Sequence, residues 1–132
     1  MNYRLLGYIS LVLLALATAP WWVRQLNAWT FKIKGKGFAN LMKFLRKLHK
    51  AAGALLGVIA LWHGFSALGT LRLHTGLLAY LAFVLTVVLG IIHWRKKDKR
   101  VFKGHKAMVV VSAALLALHL LWPGAVWQLF KV

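Results

Sequence analysis

Leu48-His49-Lys50-Ala51-Ala52-Gly53-Ala54-Leu55-Leu56-Gly57-Val58-Ile59-Ala60-Leu61-Trp62-His63 is an apolar run with a histidine near each end. The two histidines are 14 residues apart, and the same interval recurs between His105 and His119, again along an apolar run. On an α-helix, at ~1.5 Å and ~100° per residue, this interval makes just under four turns. The two side chains then stand ~21 Å apart on nearly the same face. Two such helices side by side would offer two facing histidine pairs at two depths.

Working outward, the chain divides into four apolar segments: about 5–23, 41–68, 73–94 and 105–122. Each is near the ~20 residues that cross a bilayer. The first carries Ala17-Thr18-Ala19, which has the look of a cleavage site, but Pro20-Trp21-Trp22 and the basic loop after it favour a retained span. Before the second, Leu41, Phe44, Leu45 and Leu48 fall at helical spacing, and Asn40 is an expected N-cap. Residues 24–40 are expected to form a basic interfacial loop, with a short hairpin as one option for Phe31–Phe38. A charged loop is expected over 95–104, and Pro123-Gly124 ends the last span.

The chain has 132 residues, of which 61% are hydrophobic, enough for one domain but too apolar to be hidden in a soluble core of that size. Its net charge is +17, with Asp98 the single acid. The basic residues sit between apolar runs, so nucleic acid is not the expected partner; lipid headgroups and cofactor carboxylates are. The absence of cysteine excludes disulfides, iron–sulfur clusters and thioether-linked haem.

Charge orients the spans. Residues 24–50 and 95–106 hold eight and seven of the Lys and Arg, and only Arg4, Arg72 and Lys131 lie elsewhere. This places loops 24–47 and 95–104 in the cytoplasm and both termini outside, as expected of an integral protein of a bacterial cytoplasmic membrane. Trp21, Trp22, Trp29 and Trp94 then fall near the inner boundary, and Trp62, Trp122 and Trp127 near the outer one. Spans two and four run in the same direction, so His49 is level with His105 and His63 with His119.

Paired histidines in a carboxylate-poor helical core suit bis-histidine haem rather than zinc or di-iron sites. The expectation is an all-α, four-helix transmembrane bundle holding two haem b groups. The inner pair of ligands is His49 and His105, and the outer pair His63 and His119. Each histidine alone has a plainer reading as a packing or interfacial residue; the repeated interval favours ligation. His74 and His93, 19 residues apart and about 100° out of phase, are expected to be boundary or propionate-binding residues. Gly53, with Gly57 and Ser112, would let a flat macrocycle approach, although small residues also serve ordinary helix packing. Lys50 and Lys106, with Arg46 and Lys47, would ring the inner haem, and Arg72 is the candidate partner of an outer propionate.

Leu48-His49-Lys50 through Trp62-His63-Gly64, and Gly104-His105-Lys106 through Leu118-His119-Leu120-Leu121-Trp122, resemble the ligand helices of the ferric-reductase-like transmembrane domain and of di-haem membrane cytochromes b. The resemblance covers roughly residues 46–122. It implies that His49, His63, His105 and His119 are axial ligands of a chain conducting electrons across the membrane. Those families commonly have about six helices, whereas this chain has four, and it has no Gly-x-Gly-x-x-Gly and no soluble flavin or nicotinamide region.

The expected function is therefore a di-haem electron carrier with a quinone or a soluble redox protein as partner. The alternatives are a stand-alone oxidoreductase acting on quinol, superoxide or ferric chelate at an exposed haem edge, and a haem-free membrane anchor. Sequence leaves open the enzyme question, the donor and acceptor, and the oligomeric state.

Overall fold

The computed structural model describes residues 2–69 and 73–130, which are almost entirely helical, with no strand among them. In chain order the elements are α1 (Tyr3–Leu26), a π-helical turn (Asn27–Phe31), α2 (Lys36–Leu68), α3 (Thr75–Lys96), α4 (Lys99–Leu121) and the short α5 (Ala125–Phe130). α1 with its π-turn, α2, α3 and α4 are each long and apolar enough to cross a membrane. The chain forms two compact units, one ending at His63 and the other beginning at Gly64.

In the first unit α1 and α2 run antiparallel. Ala19, Met42 and Leu45 are buried together, with Val23, Phe38 and Leu48 packed around them. Ala17 and Ala52 are buried as well. In lipid, apolar side chains gain nothing from merely leaving water, so small residues that let helices approach closely, with good packing, hold such a pair together. Val12, Leu16, Leu55, Val58 and Leu61 are exposed, an apolar surface of the kind lipid solvates. Pro20 lies inside α1, which nevertheless continues through it, and the Trp22 indole N–H donates back to the Ala15 carbonyl at 3.0 Å.

The connection between these helices is much shorter than the loop expected over 24–40. The Asn27 side chain accepts from the Ile33 N–H at 2.9 Å and donates to the Ile33 carbonyl at 3.0 Å, closing the π-turn in both directions. Lys32 then adopts a left-handed conformation with its N–H on the Asn27 carbonyl. Gly35, at φ +119°, makes a bend that a side chain would strain. α2 starts immediately afterwards, so Phe38 and Asn40 are helical; there is no hairpin, and Asn40 is not a cap.

In the second unit α3 and α4 are antiparallel. The expected charged loop over 95–104 is replaced by a two-residue connection. Lys97 is left-handed and bonds back to the His93 carbonyl, and the Asp98 carboxylate caps α4 by accepting from the Arg100 N–H at 2.7 Å. The single acidic residue thus sits at a helix N-terminus, where it satisfies an orphan donor and meets the positive end of the helix dipole. Helix α4 therefore begins six residues before the expected start at residue 105 and takes in Lys99, Arg100 and Lys103 of the charge run. At its far end Trp122 is the C-cap, and its indole donates to Gln128 Oε1 on α5 at 2.8 Å.

Candidate functional site

All four candidate ligands are half-buried, and each ring has a partner on the helix that packs against its own. In the first unit, His49 Nδ1 donates to the Ala17 carbonyl at 2.5 Å and His63 Nδ1 to the Tyr3 carbonyl at 2.8 Å. The two acceptors are themselves 14 residues apart on α1. Antiparallel packing requires this, because each step up α2 is a step down α1. A carbonyl only accepts, so each ring carries a proton on Nδ1, and in the neutral imidazole Nε2 is then the nitrogen with the lone pair.

The second unit repeats the arrangement. His105 Nδ1 donates to the Thr86 carbonyl at 2.8 Å. His119 Nδ1 lies 3.0 Å from the Thr75 hydroxyl, which in turn donates to the Pro123 carbonyl at 2.9 Å. With the hydroxyl proton so engaged, Thr75 Oγ1 accepts from His119, which therefore holds its proton on Nδ1 like the other three. Thr75 and Thr86 are the two buried polar residues among the described ones, and both attend a histidine of α4. Thr86 also donates to the Ala82 carbonyl at 2.8 Å and bonds Ser112 at 3.1 Å, midway between His105 and His119.

Glycines make room for three of these rings. A Cβ built on Gly7 would come within 3.1 Å of His63 Cε1, on Gly76 within 2.9 Å of His119 Cε1, and on Gly90 within 3.2 Å of His105 Cε1. Gly53, expected to admit a flat macrocycle, has open space around it: a Cβ there would meet nothing within 4 Å. The missed signal was present: Gly76 and Gly90 are 14 residues apart, the interval of the histidines they face.

The two remaining histidines differ. His74 is the N-cap of α3; its Nδ1 accepts from the Leu77 N–H at 3.3 Å, so its proton lies on Nε2, the opposite tautomer. Its ring meets that of His119 edge-on, with centroids 6.1 Å apart. His93 Nδ1 donates to the Asp98 carbonyl at 2.9 Å, an acceptor only five residues away rather than on a facing helix. The His93 ring stacks on Phe102 at 4.6 Å, and Phe102 lies parallel to His105 at 6.3 Å.

Of the candidate cations, Lys106 Nζ sits 5.1 Å from the centre of the Phe102 ring, a cation–π contact beside His105. Lys50 is exposed, and Arg46 Nε donates to the Met42 carbonyl at 3.2 Å. Arg72 lies outside the described residues. No cluster of three or more His, Cys, Asp or Glu that could hold a metal ion gathers among the described residues.

No family model, curated protein or solved structure matches this chain.

Proposed function

We propose that this protein is a membrane cytochrome b that carries electrons across the bilayer between two bis-histidine haems. The observation that carries the reading is the common state of four rings. His49, His63, His105 and His119 each donate Nδ1–H to an acceptor on a neighbouring helix, so Nε2 would be the nitrogen that ligates. Metal-bound histidines almost always use their second nitrogen in this way, which fixes ring orientation and strengthens the ligand. The donor set fits a haem, which takes one imidazole on each face, better than an ion needing three or four protein ligands.

His49 and His105 would hold one haem and His63 and His119 the other, the pairing that follows from span order and charge. When bound, the haems supply one-electron carriers at two depths in the membrane. The chain's own contribution is to orient each imidazole, exclude water with apolar helices and place cations at the basic end. Lys50 and Lys106 are proposed to pair with the propionates of the inner haem and Arg72 with one of the outer haem, and Gly53 to leave space for the macrocycle. Both termini are proposed to lie outside and both basic connections inside. Electrons would be exchanged with a quinone or a soluble redox protein.

The visible spectrum and haem-to-protein ratio of the purified chain test this. Two low-spin b-type haems per chain are expected. A chain that folds stably in a membrane and takes up no haem would overturn the proposal in favour of an anchor role.

A further inference from the structure

Three of the four rings donate to backbone carbonyls; His119 alone donates to a side chain. Resting on the haem reading above, we propose that Thr75 is a positioning residue that sets the tautomer of His119 and, through it, the reduction potential of the haem His119 ligates.

A carbonyl can only accept, so it dictates a ring's tautomer outright. A hydroxyl can donate or accept, and so it dictates nothing until its own proton is committed. In Thr75 that commitment is made by the Pro123 carbonyl at 2.9 Å, just past the end of α4. The hydroxyl is left as an acceptor toward His119 Nδ1 at 3.0 Å. Thr75 is completely buried, at 0% exposure, so no water competes for either bond. The neighbouring residue, Gly76, confines the ring from a second side: a Cβ there would lie 2.9 Å from His119 Cε1 and 3.2 Å from Nδ1. Two consecutive residues at the start of α3 thus hold the Nδ1 edge of His119.

An acceptor on Nδ1–H makes the imidazole a stronger electron donor, which favours ferric over ferrous iron. Deleting the acceptor should move the potential upward. It should do so only at the haem His119 ligates, because His49, His63 and His105 have acceptors of their own.

The full-length chain with ¹⁵N-labelled histidine rings, compared with Thr75→Val and Thr75→Ser, tests this with two readouts. In haem-free protein, ¹⁵N shifts should report the Nδ1–H form of His119 in the wild type and in Thr75→Ser. In Thr75→Val a substantial Nε2–H population should appear, with His49, His63 and His105 unchanged. In haem-loaded protein, Thr75→Val should shift one of two midpoints upward by about tenfold in the reduction equilibrium, ~59 mV for one electron, and Thr75→Ser should restore it. An Nε2–H form of His119 in the wild type would overturn the proposal, and that measurement requires no variant. So would an unchanged tautomer in Thr75→Val, failure of Thr75→Ser to restore it, or midpoints that stay put or move together. Failure to bind any haem would refute the function proposed above, while the tautomer result would still decide the role of Thr75.

Discussion

Replacing Gly90 by alanine sets two opposing effects against each other at one histidine. Gly90 lies well inside α3, where alanine is favoured over glycine by about 0.8–1 kcal/mol of helix propensity. The new Cβ, however, would stand 3.2 Å from both Cε1 and Nδ1 of His105. Ordinary carbon contacts begin at about 3.5 Å, so the ring must withdraw by roughly 0.3 Å. That movement lengthens the 2.8 Å bond from Nδ1 to the Thr86 carbonyl to about 3.1 Å, the long end of good geometry. Weakening of a bond worth about 0.5–1.5 kcal/mol, together with the tight ring contact, offsets most of the gain in propensity. Gly104→Ala is the control: it lies in α4, next to His105 in sequence, and its Cβ would meet Leu89 Cδ1 at a comfortable 3.7 Å. Reversible unfolding in mixed micelles should find Gly104→Ala more stable than wild type by about 1 kcal/mol and Gly90→Ala unchanged within about 0.5 kcal/mol. Equal stabilisation by the two would refute the claim that Gly90 is present to seat His105.

Three further outcomes are expected. Gly53→Ala meets no protein atom and should stabilise haem-free protein by up to about 1 kcal/mol, yet lower haem occupancy; unaltered haem binding would remove Gly53 from the cofactor's surroundings. Thr86→Val loses the hydroxyl that bonds Ala82 and Ser112 but keeps the carbonyl that accepts from His105. It should cost about 1 kcal/mol in the same unfolding assay and leave the His105 ring ¹⁵N shifts in place; a changed tautomer would mean the side chain, not the carbonyl, holds the ring. Asp98→Ala should destabilise by about 1 kcal/mol through loss of the α4 cap, and Asp98→Asn by much less; equal losses would assign the effect to charge instead of capping.

The long helices and the histidine interval were legible because hydropathy and spacing are written directly in side chains. The connections were not. Residues 24–40 and 95–104 look like loops by charge, but Asn27 and Asp98 each close a turn within a few residues, and the flanking Lys and Arg are content on helices. Asp98, a lone acid ahead of a helical run, was a readable cap signal. The partners of the histidines were mostly invisible in principle, since the Tyr3, Ala17 and Thr86 carbonyls carry no residue identity. Thr75 could not be singled out until the register of α3 against α4 placed it beside His119. Gly76 and Gly90 could have been found by extending the search for the 14-residue interval from histidine to glycine.

The most direct test of the central claim is the haem-to-protein ratio of two double variants, His49→Ala/His105→Ala and His49→Ala/His63→Ala. If His49 pairs with His105 and His63 with His119, the first variant removes both ligands of one haem and keeps one haem per chain. The second removes a ligand from each haem and keeps none that is bis-histidine ligated. Equal ratios in the two variants, or ratios unchanged from wild type, would contradict the account.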